Sequence, residues 1–162
     1  MKIENLSDLF LHTLKDVYFA EKQIVKALPK MIAAADSKEL ARALDKHLEE
    51  TKGQVGRLDD VFKLLGKKPA GEECPGIEGI LKEGEDLMQQ IKDPDTRDAA
   101  MIAAAQAVEH YEITRYGTLV SWSELLDLPE AGELLAATLK EEHAADSKLN
   151  KLAEGKLNKQ AA

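Results

Sequence analysis

The sequence predicts an all-α protein that folds as a four-helix bundle. Ala, Leu, Glu and Lys are abundant in the 162 residues, whereas Phe, Tyr and Trp together make up 4%, and this mixture favours helix over sheet. Apolar residues recur at alternating steps of three and four in four long stretches of about seven turns each. Short segments with helix-ending residues separate these stretches. We therefore expect almost no strand.

Length and charge restrict the class of protein. A chain of 162 residues with 44% hydrophobic and 32% charged residues is typical of a globular protein with one core, so we expect a single domain over 1–162. The formal net charge is −8. Because such a field repels phosphate groups and anionic membrane surfaces, we expect no nucleic-acid or membrane partner.

Two features indicate a cytoplasmic protein. No apolar run approaches the ~18 residues of a membrane span, and the start at Met1 leads into an amphipathic helix and not into a signal peptide. Cys74 is the single cysteine. It allows no internal disulfide and no thiolate metal cluster, which fits a reducing compartment.

The first two long helices should form an antiparallel hairpin. The first is expected to start near Asn5 or Ser7 and to end at about Ala35. Asp36, with Glu39 three residues later, has the pattern of a capping box, which would open a second helix ending at Gly66. The turn between the helices is too short for any other arrangement.

A long crossover and a second hairpin follow. Residues 67–76 contain two prolines and two glycines and predict a loop, and 77–91 predict a short, weak helix. Asp93 and Pro94 predict the start of a third long helix that ends at about Leu126, and a fourth helix should run from Pro129 to about Gly155. Two helix hairpins joined by a long crossover with a short helix are the topology of ferritin-like bundles.

Polar residues interrupt the apolar seam near the middle of the first hairpin's helices. In the first helix Glu21 stands where the spacing requires an apolar residue. In the second helix the middle of the seam is His47, Thr51 and Gln54, with Glu50 beside it. These side chains are therefore predicted to point toward the centre of the bundle.

The second hairpin has the same interruption. Glu109 and Glu112 occupy the middle of the third helix, and Glu142 that of the fourth, with Asp146 one turn further on. The midpoints of the four helices coincide whether a helix runs up or down, so the acids should meet at one level of the bundle.

A buried ring of acids predicts a metal site. A single glutamate on a helix is ordinarily solvated, but clustered buried carboxylates persist only with protons, water or metal, and metal is the simplest. Hard oxygen ligands with one imidazole suit iron or manganese. His47 could instead be a core histidine bonded to Thr51 or a carboxylate. Tyr18 and Tyr111 are candidate hydrogen-bond donors to the ligands, although helix packing alone would explain them.

Four segments carry a resemblance to a known family. They are DVYFAEKQ at 16–23, HLEET at 47–51, AQAVEHYE at 105–112 and EEHAAD at 141–146. Through them, and over nearly its whole length, the chain resembles the YciE/YciF-type ferritin-like proteins of bacteria.

The resemblance implies a homodimer with a dinuclear metal site and an association with bacterial stress responses. The ligands that it implies are Glu21 and Glu112 on one ion each, Glu50 and Glu142 as bridges, and His47, Glu109, Gln54 and Asp146 to complete the coordination spheres. One departure from the di-iron pattern is that Gly53 and Ala145 stand where Glu-x-x-His proteins have histidines. The site should therefore be rich in carboxylates and poor in nitrogen.

Two functions remain open from the sequence. The first is a redox or iron-handling protein whose two ions, iron or manganese, react with dioxygen or peroxide. The alternative is a non-catalytic helical module without a functional metal site, in which the Ala-rich stretch 99–107 packs against another helix or subunit.

Overall fold

The computed structural model describes residues 2–162, so Met1, where the predicted domain and amphipathic start begin, lies outside it. Within 2–162 the chain forms helices and no strand. The helices are α1 (Leu6–Ala34), α2 (Lys38–Leu64), α3 (Pro75–Gln90), α4 (Pro94–Leu125), α5 (Pro129–Leu152), a π-helical turn (Ala153–Leu157) and α6 (Asn158–Ala161). The predicted all-α bundle is confirmed.

The long helices pair as the connections require. α1 packs on α2 and α4 packs on α5, and the two hairpins meet through α2 with α5 and α1 with α4. α3, in the crossover, packs mainly on α4 and less extensively on α1. Among residues 2–162, no helix is both long and apolar enough to cross a membrane.

The starts of α1 and α4 follow the sequence signals. The side chain of Asn5 accepts a hydrogen bond from the backbone N–H of Asp8, and that of Asp93 accepts one from Thr96. Each bond satisfies a backbone donor that the first turn of a helix leaves without a partner.

The predicted capping box at the start of α2 is wrong. The N-cap residue is Ser37, whose side chain accepts from the Leu40 N–H, and not Asp36. The backbone N–H groups of Asp36 and Ser37 instead donate to the two carboxylate oxygens of Asp98, at 3.0 and 2.7 Å. The buried Asp98 of α4 therefore fixes the turn between α1 and α2.

Two glycines shape the segment between α2 and α3. Gly66 has φ +65°, a left-handed conformation that ends α2 at little cost only for a residue without Cβ. Gly71 lies so close to α1 that an added Cβ would be 3.1 Å from the Cβ of Phe19. The loop is thereby held against the bundle.

The last helix extends beyond its predicted end at Gly155. The π turn inserts at Ala153–Leu157, and the helix continues to Ala161. Leu157 is buried, so the wider turn keeps an apolar residue directed at the core where the glycine signal indicated an end.

The core is divided by a polar layer. One hydrophobic cluster, which includes Leu44, Ile77 and Met101, lies at one end of the bundle. A second, which includes Phe10, Phe62 and Leu119, lies at the other end. Each long helix contributes to both clusters, so its middle residues lie between them.

Candidate metal centre

Four side chains of the polar layer bring ligand atoms together. One atom each of His47, Glu109, Glu112 and Glu142 lies within 4.8 Å of the others, and all four residues are buried. α2 supplies the imidazole, α4 supplies two carboxylates three residues apart on one face, and α5 supplies the fourth group. We call these four residues the central cluster.

Glu21 of α1 lies beside the central cluster. It is fully buried, and its Oε1 accepts a hydrogen bond from the Tyr116 hydroxyl at 2.5 Å. Glu21 interacts electrostatically with Glu142, and after desolvation it is the group that most raises the pKa of Glu112. All four bundle helices therefore contribute a buried ionisable group to this level.

Many potential metal-ligand atoms of this layer lack a hydrogen-bond partner. Within residues 2–162, nine buried side-chain atoms have no hydrogen-bond partner, and seven of them belong to these acids and His47: Glu21 Oε2, Glu109 Oε2, both oxygens of Glu112, Glu142 Oε2 and both ring nitrogens of His47. His47 Nε2 lies 3.0 Å from Glu109 Oε1, close enough for an ion pair but outside hydrogen-bond geometry. Buried polar atoms rarely lack a hydrogen-bond partner. So many unpaired atoms in one layer indicate that a partner is missing there.

Burial and mutual repulsion disfavour ionisation of the acids. Desolvation raises the pKa of Glu21 to about 8, with the charge of Glu142 adding to the effect. Desolvation raises the pKa of Glu109 to about 7, and together with the contact to Glu109 it raises the pKa of Glu142 to about 9. The pKa of Glu112 is also raised, first by desolvation and then by Glu21. Without a cation, burial therefore favours the protonated forms of these acids near neutral pH.

A layer of polar side chains supports the cluster from α2. Gln54 donates to a carboxylate oxygen of Glu142 and, at 3.1 Å, to Glu141. Arg57 donates two hydrogen bonds to Glu141, at 2.9 and 2.6 Å, and one to Thr138 at 2.8 Å. Such a bidentate pair fixes geometry, so α2 holds α5 and Glu142 in register.

Glu50, implied as a bridging ligand, lies at the edge. Its side chain is 28% exposed and pairs with Lys46 at 2.7 Å. It lines a small pocket of about 50 Å³ together with His47, Glu109 and Lys148. This pocket leads from the surface between α2 and α5 to the central cluster, so Glu50 stands at its entrance. Its role as a bridge stays a prediction.

Asp146 is likewise outside the central cluster. Its Oδ1 accepts from Gln106 Nε2 at 3.0 Å and lies 3.3 Å from His110 Nε2. It therefore links α5 to the outer side of α4. Its ligand role also stays a prediction.

Sequence reasoning missed the hydrogen-bonding partners of the cluster. Tyr116 lies four residues after Glu112 on the same helical face, a spacing that could have indicated its contact with the acids. Arg57, three residues after Gln54, had a similar signal. Tyr18 packs edge-on against Phe62, which fits the packing explanation.

Tyr111 also lies away from the ligands. Its hydroxyl is 3.1 Å from the Cys74 sulfur, in the contact between α3 and α4. Packing at the crossover therefore accounts for this tyrosine too.

The donor set fits hard cations. Four carboxylates and one imidazole offer more donor atoms than the roughly six that one octahedral ion takes. Thiolates play no part, because Cys74 lies at the start of α3 and contacts Tyr111. The arrangement could therefore hold a metal ion.

Comparison with known proteins places the chain in a family. Residues 5–162 match the family model described as a domain of unknown function, DUF892. Protein YciF of Escherichia coli strain K12 is 43% identical over 162 residues, which are 99% of this chain and 98% of YciF.

Solved structures agree with this relationship. YcfI of Rhodopseudomonas palustris, for which a structural role has been suggested, is 52% identical with a TM-score of 0.91, covering 92% of this chain and 95% of its own. The E. coli stress protein YciF superposes with a TM-score of 0.92 at 42% identity, covering 97% and 99%. A Xanthomonas campestris protein shares the fold at 20% identity, with a TM-score of 0.73 and 93% of each chain covered. The chain therefore belongs to the DUF892 family and is a relative of E. coli YciF.

Proposed function

We propose that this chain binds two iron or manganese ions among its buried acids and uses them in redox or iron-handling chemistry. The observation that carries the proposal is the set of seven buried carboxylate and imidazole atoms that have no hydrogen-bond partner. Five residues would hold the ions: Glu21, His47, Glu109, Glu112 and Glu142. Glu50 at the entrance is a further candidate.

The protein's own residues have defined tasks in this proposal. Tyr116 orients Glu21, and Gln54 orients Glu142. Glu109 and Glu142, which contact each other, hold protons in the metal-free protein and release them when a cation binds. The hydrophobic clusters on both sides exclude water. Bound iron would supply reactivity toward dioxygen or peroxide.

A role in stress and a homodimeric state are parts of the same proposal. E. coli YciF is described as a stress protein, and the resemblance of the sequences suggests a related role here. A site that removes reactive iron or peroxide would serve such a role.

Metal titration tests the proposal. Protein stripped with chelator and titrated with Mn(II), or anaerobically with Fe(II), should take up about two equivalents per chain. Glu142→Gln should lose this uptake while keeping the fold, because it removes a central ligand and one repelling charge. The matched control is Glu133→Gln, at an exposed position of the same helix, which should bind as the parent does. If the parent protein took up no more metal than Glu142→Gln, the result would favour the non-catalytic helical module.

A further inference from the structure

A second cavity lies outside the polar layer. It has a volume of about 310 Å³ and lies between α1, α3 and α4. Its walls are mainly apolar, with Met31, Ile80, Leu81 and Met88 among them. This volume is at the lower limit of pockets that hold small molecules. The glutamates of the metal centre do not line it.

The outer end of this pocket carries a cation without an acid. Arg97 lines the pocket from the first turn of α4. Its Nε is buried without a hydrogen bond, and among residues 2–162 its guanidinium forms no salt bridge. A cation in the first turn opposes the helix dipole, so neither capping nor pairing explains Arg97.

A second cation lines the pocket further along its length. Lys30 of α1 lines the pocket and pairs with Glu85 of α3 at 3.4 Å. Both side chains are largely exposed, at 75% and 51%, and such a pair contributes little stability. Arg97 and Lys30 outnumber Glu85, the one acid among the lining residues, so the pocket favours an anionic ligand.

The inner end of the pocket approaches the metal centre. A narrow cavity of about 20 Å³ shares Ala27, Met31, Leu81 and Val108 with the pocket and is also lined by His47 and Glu109. From Arg97 to Val108 the pocket follows α4 for eleven residues, or about 16 Å. The cation thus marks one end of an elongated apolar space, and the central cluster lies just beyond the other.

We propose that this pocket binds a medium-chain carboxylic acid. The carboxylate lies at Arg97, the hydrocarbon chain lies against the apolar walls, and the methyl end points toward His47 and Glu109. Binding itself does not require metal. The placement of the methyl end beside the metal ligands rests on the proposed function. In that function the pocket would hold the organic partner of the metal centre.

Calorimetric titration of metal-free protein with decanoate, and with neutral decanol as the matched probe, tests the assignment. The parent protein should bind decanoate at one site and prefer it to decanol. Arg97→Gln should weaken decanoate binding about tenfold or more and remove the preference, because a charge-assisted hydrogen bond is lost. Arg42→Gln, at an exposed position of α2, should bind as the parent does.

A steric pair of variants tests the same pocket independently of charge. Ala34→Phe should fill the pocket and abolish binding of both probes, whereas Ala33→Phe, on the exposed side of the same turn, should leave it intact. Metal uptake should be unchanged in both, so failure of the pocket and failure of the metal centre are separate results. Equal affinity for decanoate in the parent and Arg97→Gln overturns the assignment. The assignment is also overturned if decanoate binding weakens as the protein concentration rises, because a second copy of the chain would then occupy the pocket.

Discussion

Tyr116 shows how one hydroxyl can determine the state of a buried acid. Its hydrogen bond to Glu21 opposes the desolvation that raises the pKa of that carboxyl. Tyr116→Phe should therefore leave Glu21 more strongly protonated and misoriented, and should weaken metal binding about 10- to 100-fold. Competition titration with a chelator measures this. Tyr18→Phe is the matched control, and equal affinities in the two variants would deny Tyr116 its role.

Glu50 and Glu142 are predicted to differ although the family pattern treats them alike. Glu142 is buried in the central cluster, whereas Glu50 is paired with Lys46 at the entrance. Glu142→Gln should abolish uptake of both ions, and Glu50→Gln should lower affinity or slow uptake while about one ion or more still binds. Metal analysis after gel filtration measures the difference. Complete loss in Glu50→Gln would restore it as a bridge.

At the scale of elements, Asp98 connects parts of the chain that are distant in sequence. Its buried carboxylate accepts from the N–H groups of Asp36 and Ser37, and Asp98→Ala leaves both without partners. The free energy of unfolding should fall by about 2–4 kcal/mol, because hydrogen bonds to charged groups are involved. Denaturant unfolding measures this, with Asp95→Ala in the same helix turn as control. A loss no larger than in the control would show that water replaces Asp98.

The same element shows what the sequence could and could not predict. Asn5 and Asp93 act on N–H groups three residues away, so a local pattern was enough to place their helices. Asp98 acts across about sixty residues, which no local pattern contains, and the cap was assigned to Asp36 instead. The π turn was missed because Gly155 gives the signal of an ordinary helix end.

The candidate site was predictable to a similar degree. Acids on the seam, such as Glu21 and Glu112, are buried because a helical period places them inward. Glu50 directly precedes the seam residue Thr51, and the side chains of adjacent helical residues point in directions about 100° apart. That rotation turns it toward Lys46 and solvent, a difference that a family motif does not encode.

At the scale of the whole molecule, the polar layer makes stability depend on pH. The pKa values of Glu21, Glu109 and Glu142 in the folded protein lie at about 8, 7 and 9, above the ordinary value of 4.5. The folded state therefore binds more protons than the unfolded state in this interval. Metal-free protein should lose stability as pH rises from 5 to 8, by about 1.4 kcal/mol per pH unit for each proton of difference.

Thermal unfolding of the metal-free protein at several pH values measures this slope. Glu142→Gln, which lacks one of the raised carboxyl groups, should have a shallower slope than the parent. With metal present the trend should reverse, because cations bind the deprotonated acids and stabilise the folded state more as pH rises. A stability of the metal-free protein that is flat between pH 5 and 8 would mean that water reaches and solvates these carboxylates.

Crystals of iron-loaded protein, measured at the iron absorption edge, test the central claim most directly. The account predicts anomalous density in the layer between the two hydrophobic clusters, within ligand distance of Glu112, Glu142 and Glu21. Strong density only at surface carboxylates, with none in this layer, would contradict it.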